Sequence, residues 1–350
     1  MNVEDIRRID ESGMYDLVKS FPEQWREGRQ LAEAVEIDIS LASKNQMVVV
    51  GMGGSAIAGD IVRCFAIDQS PIPISVVRNY ELPASVDENS IVIASSFSGN
   101  TEETLSAFEV ALERKATIIC ISSGGRVSEL AEEHSLPIVK IPGGMPPRAA
   151  LGYSLSVLMV VSSKLGLINL SDEDWAESQS ILENQTAEYC EPTGDHQAMQ
   201  VAEAMKSRFP FVYSSTGMLE TVNLRWRGQF QENAKKLAVG NVYPELNHNE
   251  IMAWEFANGK TFHGNLGVIV LRDKADHARI QHRMDVTRRL LSEKAGYWTE
   301  IESRGSSRLA RMISLINLGD WISLYLAYLR DVDPTPIGLI DKLKSELSKV

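Results

Sequence analysis

MVVVGMGGSAIAGD, residues 47–60, constrains the fold of this chain more than any other stretch. An apolar, β-branched run of this length suits a parallel strand buried on both faces. The glycines that close it suit a tight turn, and SAIAGD opens a helix. The same succession then recurs. ISVVRNYELP, SIVIASSFSGN, ATIICISSGG and the shorter IVKIPGG read as further strands, with helical segments such as TEETLSAFEVALERK and VSELAEEH between them. Alternation at this rhythm predicts a doubly wound α/β domain, a parallel sheet flanked by helices, over residues 45–165.

At 350 residues the chain exceeds what one core usually encloses, so a second domain is expected. Residues 1–44 read as a helical segment broken near Phe21-Pro22, and 166–198 as a polar, acidic helical connector with a loop at Pro192–Gly194. A second α/β pattern fills 199–350. FPFVYSSTG, LGVIVLRD and YWTEIES read as strands, while GNVYPELNHNEIMAW reads as a loop running into a helix. The pair VVVGMGGSAIAG and FVYSSTGMLETV points to a duplicated architecture.

The net charge of −12 disfavours nonspecific binding to nucleic acid or to an anionic membrane, yet leaves room for a local anion site. Three cysteines without CxxC spacing argue against a disulfide framework or a zinc site, and for reduced thiols in the cytoplasm. The polar start shows no leader, and the apolar stretch near Leu151–Val161 is too short to span a bilayer and reads as a buried helix.

Two turns carry the chemistry. Gly51-x-Gly53-x-x-Ala56 matches a dinucleotide fingerprint, but Arg78 and Asn79, not an acid, follow the second strand. Tight strand–helix packing alone would also explain those glycines. SSFSGNTEET, residues 95–104, stands at another strand-to-helix junction, where free N–H groups and the helix dipole collect anions. Capping by Asn100 or Thr101 explains part of the pattern, with Glu102 and Glu103 in the first helical turn. It does not call for Ser96, Ser98 and Thr101 together. Two such turns in one sheet favour a phosphate cradle.

GMGGSA, SSFSGNTEET, PPRAALGYS, WRGQFQENAKK, PELNHNEI and DPTPIGLIDKLK occur in that order from residue 51 onward. Together they resemble the bifunctional phosphoglucose/phosphomannose isomerases, which belong to the sugar isomerase (SIS) domain superfamily. The resemblance implies two SIS domains, a homodimer, and neither metal nor organic cofactor. It implies interconversion of glucose 6-phosphate and mannose 6-phosphate with fructose 6-phosphate. By motif, Gly54 and Ser55 would contact the sugar phosphate, and Ser96, Ser98 and Thr101 the phosphate itself. Arg148 would stabilise the enediolate and Glu232 would be the base. His248, reaching in from the partner subunit, and a C-terminal lysine would open the ring; Lys344 is favoured over Lys342. Apart from the resemblance, Glu232 reads as a surface ion-pair partner among Arg225, Arg227, Lys235 and Lys236, and His248 as part of a capped turn. A noncatalytic SIS sensor and an isomerase of a single substrate are the competing readings.

Overall fold

The computed structural model describes residues 3–256, 262–347 and 349. Three helices open the chain: α1 (Val3–Ile9), α2 (Met14–Lys19) and α3 (Phe21–Glu33). The break expected near Phe21-Pro22 falls between α2 and α3, with Pro22 in the first turn of α3, where its missing N–H costs no helical bond.

The first sheet follows: β1 (Gln46–Val50), α4 (Gly53–Phe65), β2 (Ile74–Val77), β3 (Ser90–Ser96), α5 (Glu102–Glu113), β4 (Thr117–Ser122), α6 (Gly125–Glu133) and β5 (Ile138–Lys140). Then come α7 (Leu151–Lys164), α8 (Asp172–Tyr189) and α9 (Gln197–Lys206). The second sheet is built from β6 (Phe209–Ser215), α10 (Met218–Glu232), β7 (Val239–Tyr243), β8 (Leu266–Arg272), α11 (Ala278–Leu291) and β9 (Tyr297–Glu302). Helices α12 (Arg308–Leu329) and α13 (Gly338–Leu347) complete the described chain.

Both sheets are parallel throughout, ordered β2-β1-β3-β4-β5 and β7-β6-β8-β9. The four strands of the second sheet repeat the order of the first four, so the duplication suggested by two similar turns is a duplication of topology. Val48, Val49 and Val50 are all buried because helices cover both faces of the first sheet. Val48, Val50, Val92, Ala94, Ile118 and Cys120 pack with Phe108 of α5 and Leu130 of α6. On the opposite face Val49 lies against Gly59 of α4. In the second sheet Tyr213, Val268 and Val270 pack with Met284 of α11.

GNVY departs from the expected loop: it forms most of β7, an edge strand that among the described residues pairs only with β6. A short run containing glycine and asparagine carries little strand signal of its own, and its partner supplies the order. The segment 245–254 then forms 3₁₀ turns instead of a regular helix.

The chain divides into two compact units. The first-sheet unit comprises Ser20–Glu183 and Gly305–Ile313; the second-sheet unit comprises Met1–Lys19, Asn184–Arg304 and Ser314–Val350. The N-terminal helices are thereby shared out, α1 and α2 to one unit and α3 to the other. Helix α12 is long and apolar enough to cross a membrane, but 94% of its most apolar stretch is buried within the protein, as in a core helix. Cys64 and Cys120 are buried and form no disulfide among the described residues, and burial pushes the Cys120 thiol up to about 12.

Candidate active site

In the first sheet the strand order reverses between β1 and β3, and the crevice beyond such a reversal is where open α/β sheets hold ligands. The first turn of α4, just after β1, carries Gly54 and Ser55; Ser96 ends β3, and the turn from β3 into α5 carries Ser98 and Thr101. Ser96 is buried at the strand end, and its hydroxyl lies 2.9 Å from that of Thr101. Thr101 occupies the N-cap position of α5, yet its side chain makes no capping bond. Asn100 caps the neighbouring helix instead, its side-chain oxygen accepting from the Arg126 N–H of α6 at 3.0 Å. Capping of α5 therefore does not account for these side chains. Ser98 is exposed, with its Oγ 3.2 Å from the Asn100 N–H. Glu102 is exposed and accepts from the Tyr80 hydroxyl at 3.3 Å.

The corresponding turn of the second sheet shows what the first one lacks. The third residue of α10 is Glu220, whose carboxylate accepts from the Thr216 hydroxyl at 3.1 Å and the Gly217 N–H at 3.4 Å. That helix start carries its own anion. The third residue of α5 is Thr104, fully buried, with no partner for its hydroxyl among the described residues. The first turn of α5 does hold Glu102 and Glu103, but Glu102 is engaged by Tyr80, and among the described residues neither carboxylate bonds back to the turn as Glu220 does.

Arg148 is 4% exposed, on a 3₁₀ turn at Pro147–Ala149. Backbone bonds from Ala149 to Pro146 and from Ala150 to Pro147 hold the turn, and the Gln24 amide donates to the Ala149 carbonyl at 2.9 Å. Gly54 abuts it: a Cβ there would stand 2.6 Å from the Pro147 carbonyl oxygen. Gly54 thus admits the turn that carries Arg148, whatever it also contacts. Ser55, in the same first turn of α4, is buried beside it in sequence. After β2, Arg78 donates to Asp60 of α4, so the strand end where a dinucleotide site places an acid is basic and already paired.

In the second-sheet unit Glu232 is the last residue of α10 and is half-buried. The helix is fixed from the side facing α12. Arg225 grips Asp320 with bonds of 3.0 and 2.6 Å, Gln229 adds a third at 2.9 Å, and Asn233 donates to Ser323 at 2.9 Å. Burial pushes the Asp320 carboxyl up, against the pull of the Arg225 guanidinium. Arg225 is therefore a core residue rather than a surface neighbour of Glu232. Lys236 donates to the Lys206 carbonyl at 2.9 Å, and burial lowers its ammonium to about 8.

His248 is exposed at the end of a 3₁₀ turn and makes no hydrogen bond or ion pair among the described residues. Its neighbours are the anchored ones. Asn247 donates to Thr287 of α11 at 3.0 Å, and Asn249 accepts from the Glu250 N–H and donates to Glu245, both at 2.6 Å. Glu250 in turn accepts from the Tyr213 hydroxyl and, at 2.8 Å, from Asn241. Burial first, and then the Glu250 carboxylate, push the Tyr213 hydroxyl far up. The reading of a capped turn holds for Asn249, whereas Asn247 ties the turn to α11, and that turn presents the imidazole to solvent. Lys342 and Lys344 are both exposed on α13, which has no buried residue.

Residues 40–160 match the SIS domain family, and residues 194–347 match the bacterial phospho-glucose isomerase C-terminal SIS domain. A bifunctional phosphoglucose/phosphomannose isomerase of Caldicellulosiruptor bescii is 41% identical over 339 residues, covering 96% of this chain and 99% of the relative. One of Aquifex aeolicus is 33% identical, covering 96% and 98%. In fold, the C-terminal domain of a glucosamine-fructose-6-phosphate aminotransferase from Francisella tularensis superposes with a TM-score of 0.71 at 14% identity, covering 92% of this chain and 98% of that one. With two sheets of one topology and this identity over nearly the whole length, the chain belongs to the bifunctional phosphoglucose/phosphomannose isomerase family.

Proposed function

We propose that the chain interconverts glucose 6-phosphate and mannose 6-phosphate with fructose 6-phosphate, moving a proton between C2 and C1 through a cis-enediol. The observation that carries this reading is the first-sheet cradle, where the Ser96 and Thr101 hydroxyls gather at a helix start whose N-cap side chain makes no capping bond. A phosphate dianion fits that position by charge and by hydrogen bonding. Gly54 and Ser55 border it, and Ser96, Ser98 and Thr101 supply hydroxyls. In this reading the domain over 45–165 binds the phosphate, and the domain over 199–350 brings the acid–base groups.

The reaction needs a base that reaches both carbons, a positive charge beside the developing enediolate, and an acid–base group for ring opening. Glu232 serves as the base. Arg148 supplies a guanidinium that stays charged at every working pH. His248, with Lys344, opens the ring; an imidazole exchanges protons near neutrality. The exposure of His248 within one chain supports a role across a homodimer interface.

A coupled assay of the purified protein with EDTA present tests the reading. Turnover of both aldose phosphates is expected within about twofold of the EDTA-free rate. Loss of turnover with EDTA would overturn the metal-free mechanism. Activity on one aldose would narrow the protein to a single substrate, and binding without turnover would make it a sensor.

The lysines separate cleanly. Residues two apart on a helix lie about 200° apart around its axis, so Lys342 and Lys344 cannot face one site together. Lys344→Ala is expected to lower kcat about 100-fold. Lys342→Ala should stay within about threefold of the parent rate. The reverse pattern would assign the role to Lys342.

A further inference from the structure

Lys235, three residues beyond Glu232, has a left-handed backbone with φ +49°. That region disfavours side chains other than glycine, and such residues persist where the surroundings dictate them. The Lys236 N–H reaches back to the Phe230 carbonyl at 3.0 Å, so residues 230–236 close the end of α10 through this position. Helix ends of this kind usually place glycine in the left-handed position, and glycine would serve the backbone better than lysine. The side chain gives the reason for lysine. Its ammonium donates to the Glu232 carbonyl at 2.5 Å and to the Pro334 carbonyl at 2.8 Å.

Those carbonyls belong to two segments of one unit. Glu232 ends the helix that carries the proposed base. Pro334 lies in the turn from which α13, with Lys342 and Lys344, departs. The same turn is shaped by Asp333, which accepts from the Thr335 N–H at 2.9 Å. Because α13 has no buried residue, its direction is set by this turn and not by a packed face.

We infer that Lys235 is a positioning residue that ties the base-bearing end of α10 to the root of the C-terminal helix, and so fixes Glu232 relative to the C-terminal lysine. The inference rests on the roles proposed above for Glu232 and that lysine.

Lys235→Gly and Lys235→Met test it in the full-length enzyme. Glycine relieves the backbone and removes the tie; methionine keeps the length of the side chain and removes the donor. Both variants should lose at least tenfold in kcat with KM within about threefold, and show faster amide exchange across 338–347. Lys235→Gly should keep its Tm or raise it, and Lys235→Arg should recover part of the rate. Parental kcat and unchanged exchange in Lys235→Gly would overturn the inference, leaving the lysine as a helix end only. If that variant fails to fold, parental kcat in Lys235→Met would do the same. Glu232→Gln, assayed alongside, separates the two failures: full activity in that variant overturns the proposed function instead.

Discussion

Glu232→Gln is expected to lower kcat about 1,000-fold on glucose 6-phosphate and on mannose 6-phosphate alike, with KM changed by less than about threefold. Positioned general acid–base groups contribute 10²–10⁴-fold, and the amide keeps the shape of the carboxylate while losing its basicity. The variant should fold normally. Glu232 is half-buried at a helix end, while the contacts that hold α10 run through Arg225, Gln229 and Asn233. The two aldose phosphates differ only at C2. One carboxylate serves both if rotation about C2–C3 of the enediol presents either face to it, and dual specificity then comes from a permissive pocket near C2. Proton exchange into substrate from D₂O, followed by NMR, measures the step directly and should vanish for both sugars. Loss of glucose turnover with mannose turnover spared would overturn the single-base mechanism.

The sequence carried the first sheet almost strand for strand, because parallel strands buried on both faces must be continuously apolar. VVVGMGG and SIVIASS have few other readings. It did not carry β7, whose residues are ordered by pairing with β6 rather than by their own preference. For the site, local pattern reached as far as the hydroxyls of SSFSGNT, since an anion site at a helix start is built from neighbours in sequence. It could not distinguish that turn from its counterpart in the second sheet. The difference lies in what the third helical residue does in space, Glu220 in one and Thr104 in the other. Nor did charge spacing along α10 identify the partner of Arg225, because Asp320 is 95 residues away. Lys235 was visible as one of two adjacent lysines, but its left-handed backbone and its reach to Pro334 belong to the fold.

Gly99→Ala should strike the cradle hardest of any single methyl group. Gly99 has φ +71°, and a Cβ there would sit 1.7 Å from the Gly124 carbonyl oxygen and 2.7 Å from its carbon. No side chain can yield in that clash, because both partners are backbone. The loop after β3 is also stitched to α6, by the Val127 N–H to the Gly99 carbonyl at 3.0 Å and by Asn100 to Arg126. An alanine must therefore displace Ser98 and Thr101 together with the turn at Gly124. Losing one well-placed bond to a phosphate dianion costs about 1.5–3 kcal/mol, which corresponds to roughly 10–150-fold in affinity. KM for both sugar phosphates, and the inhibition constant of inorganic phosphate, are expected to rise by that factor. Overpacking and the left-handed backbone should also lower stability by about 1–3 kcal/mol. Ser98→Ala provides the control: Ser98 is exposed and bonds only locally, so it should raise KM without lowering Tm. The pair separates a cradle that binds phosphate from a loop that merely packs. An unchanged phosphate inhibition constant in Gly99→Ala, measured on folded protein, would place the anion elsewhere and end the case for this turn.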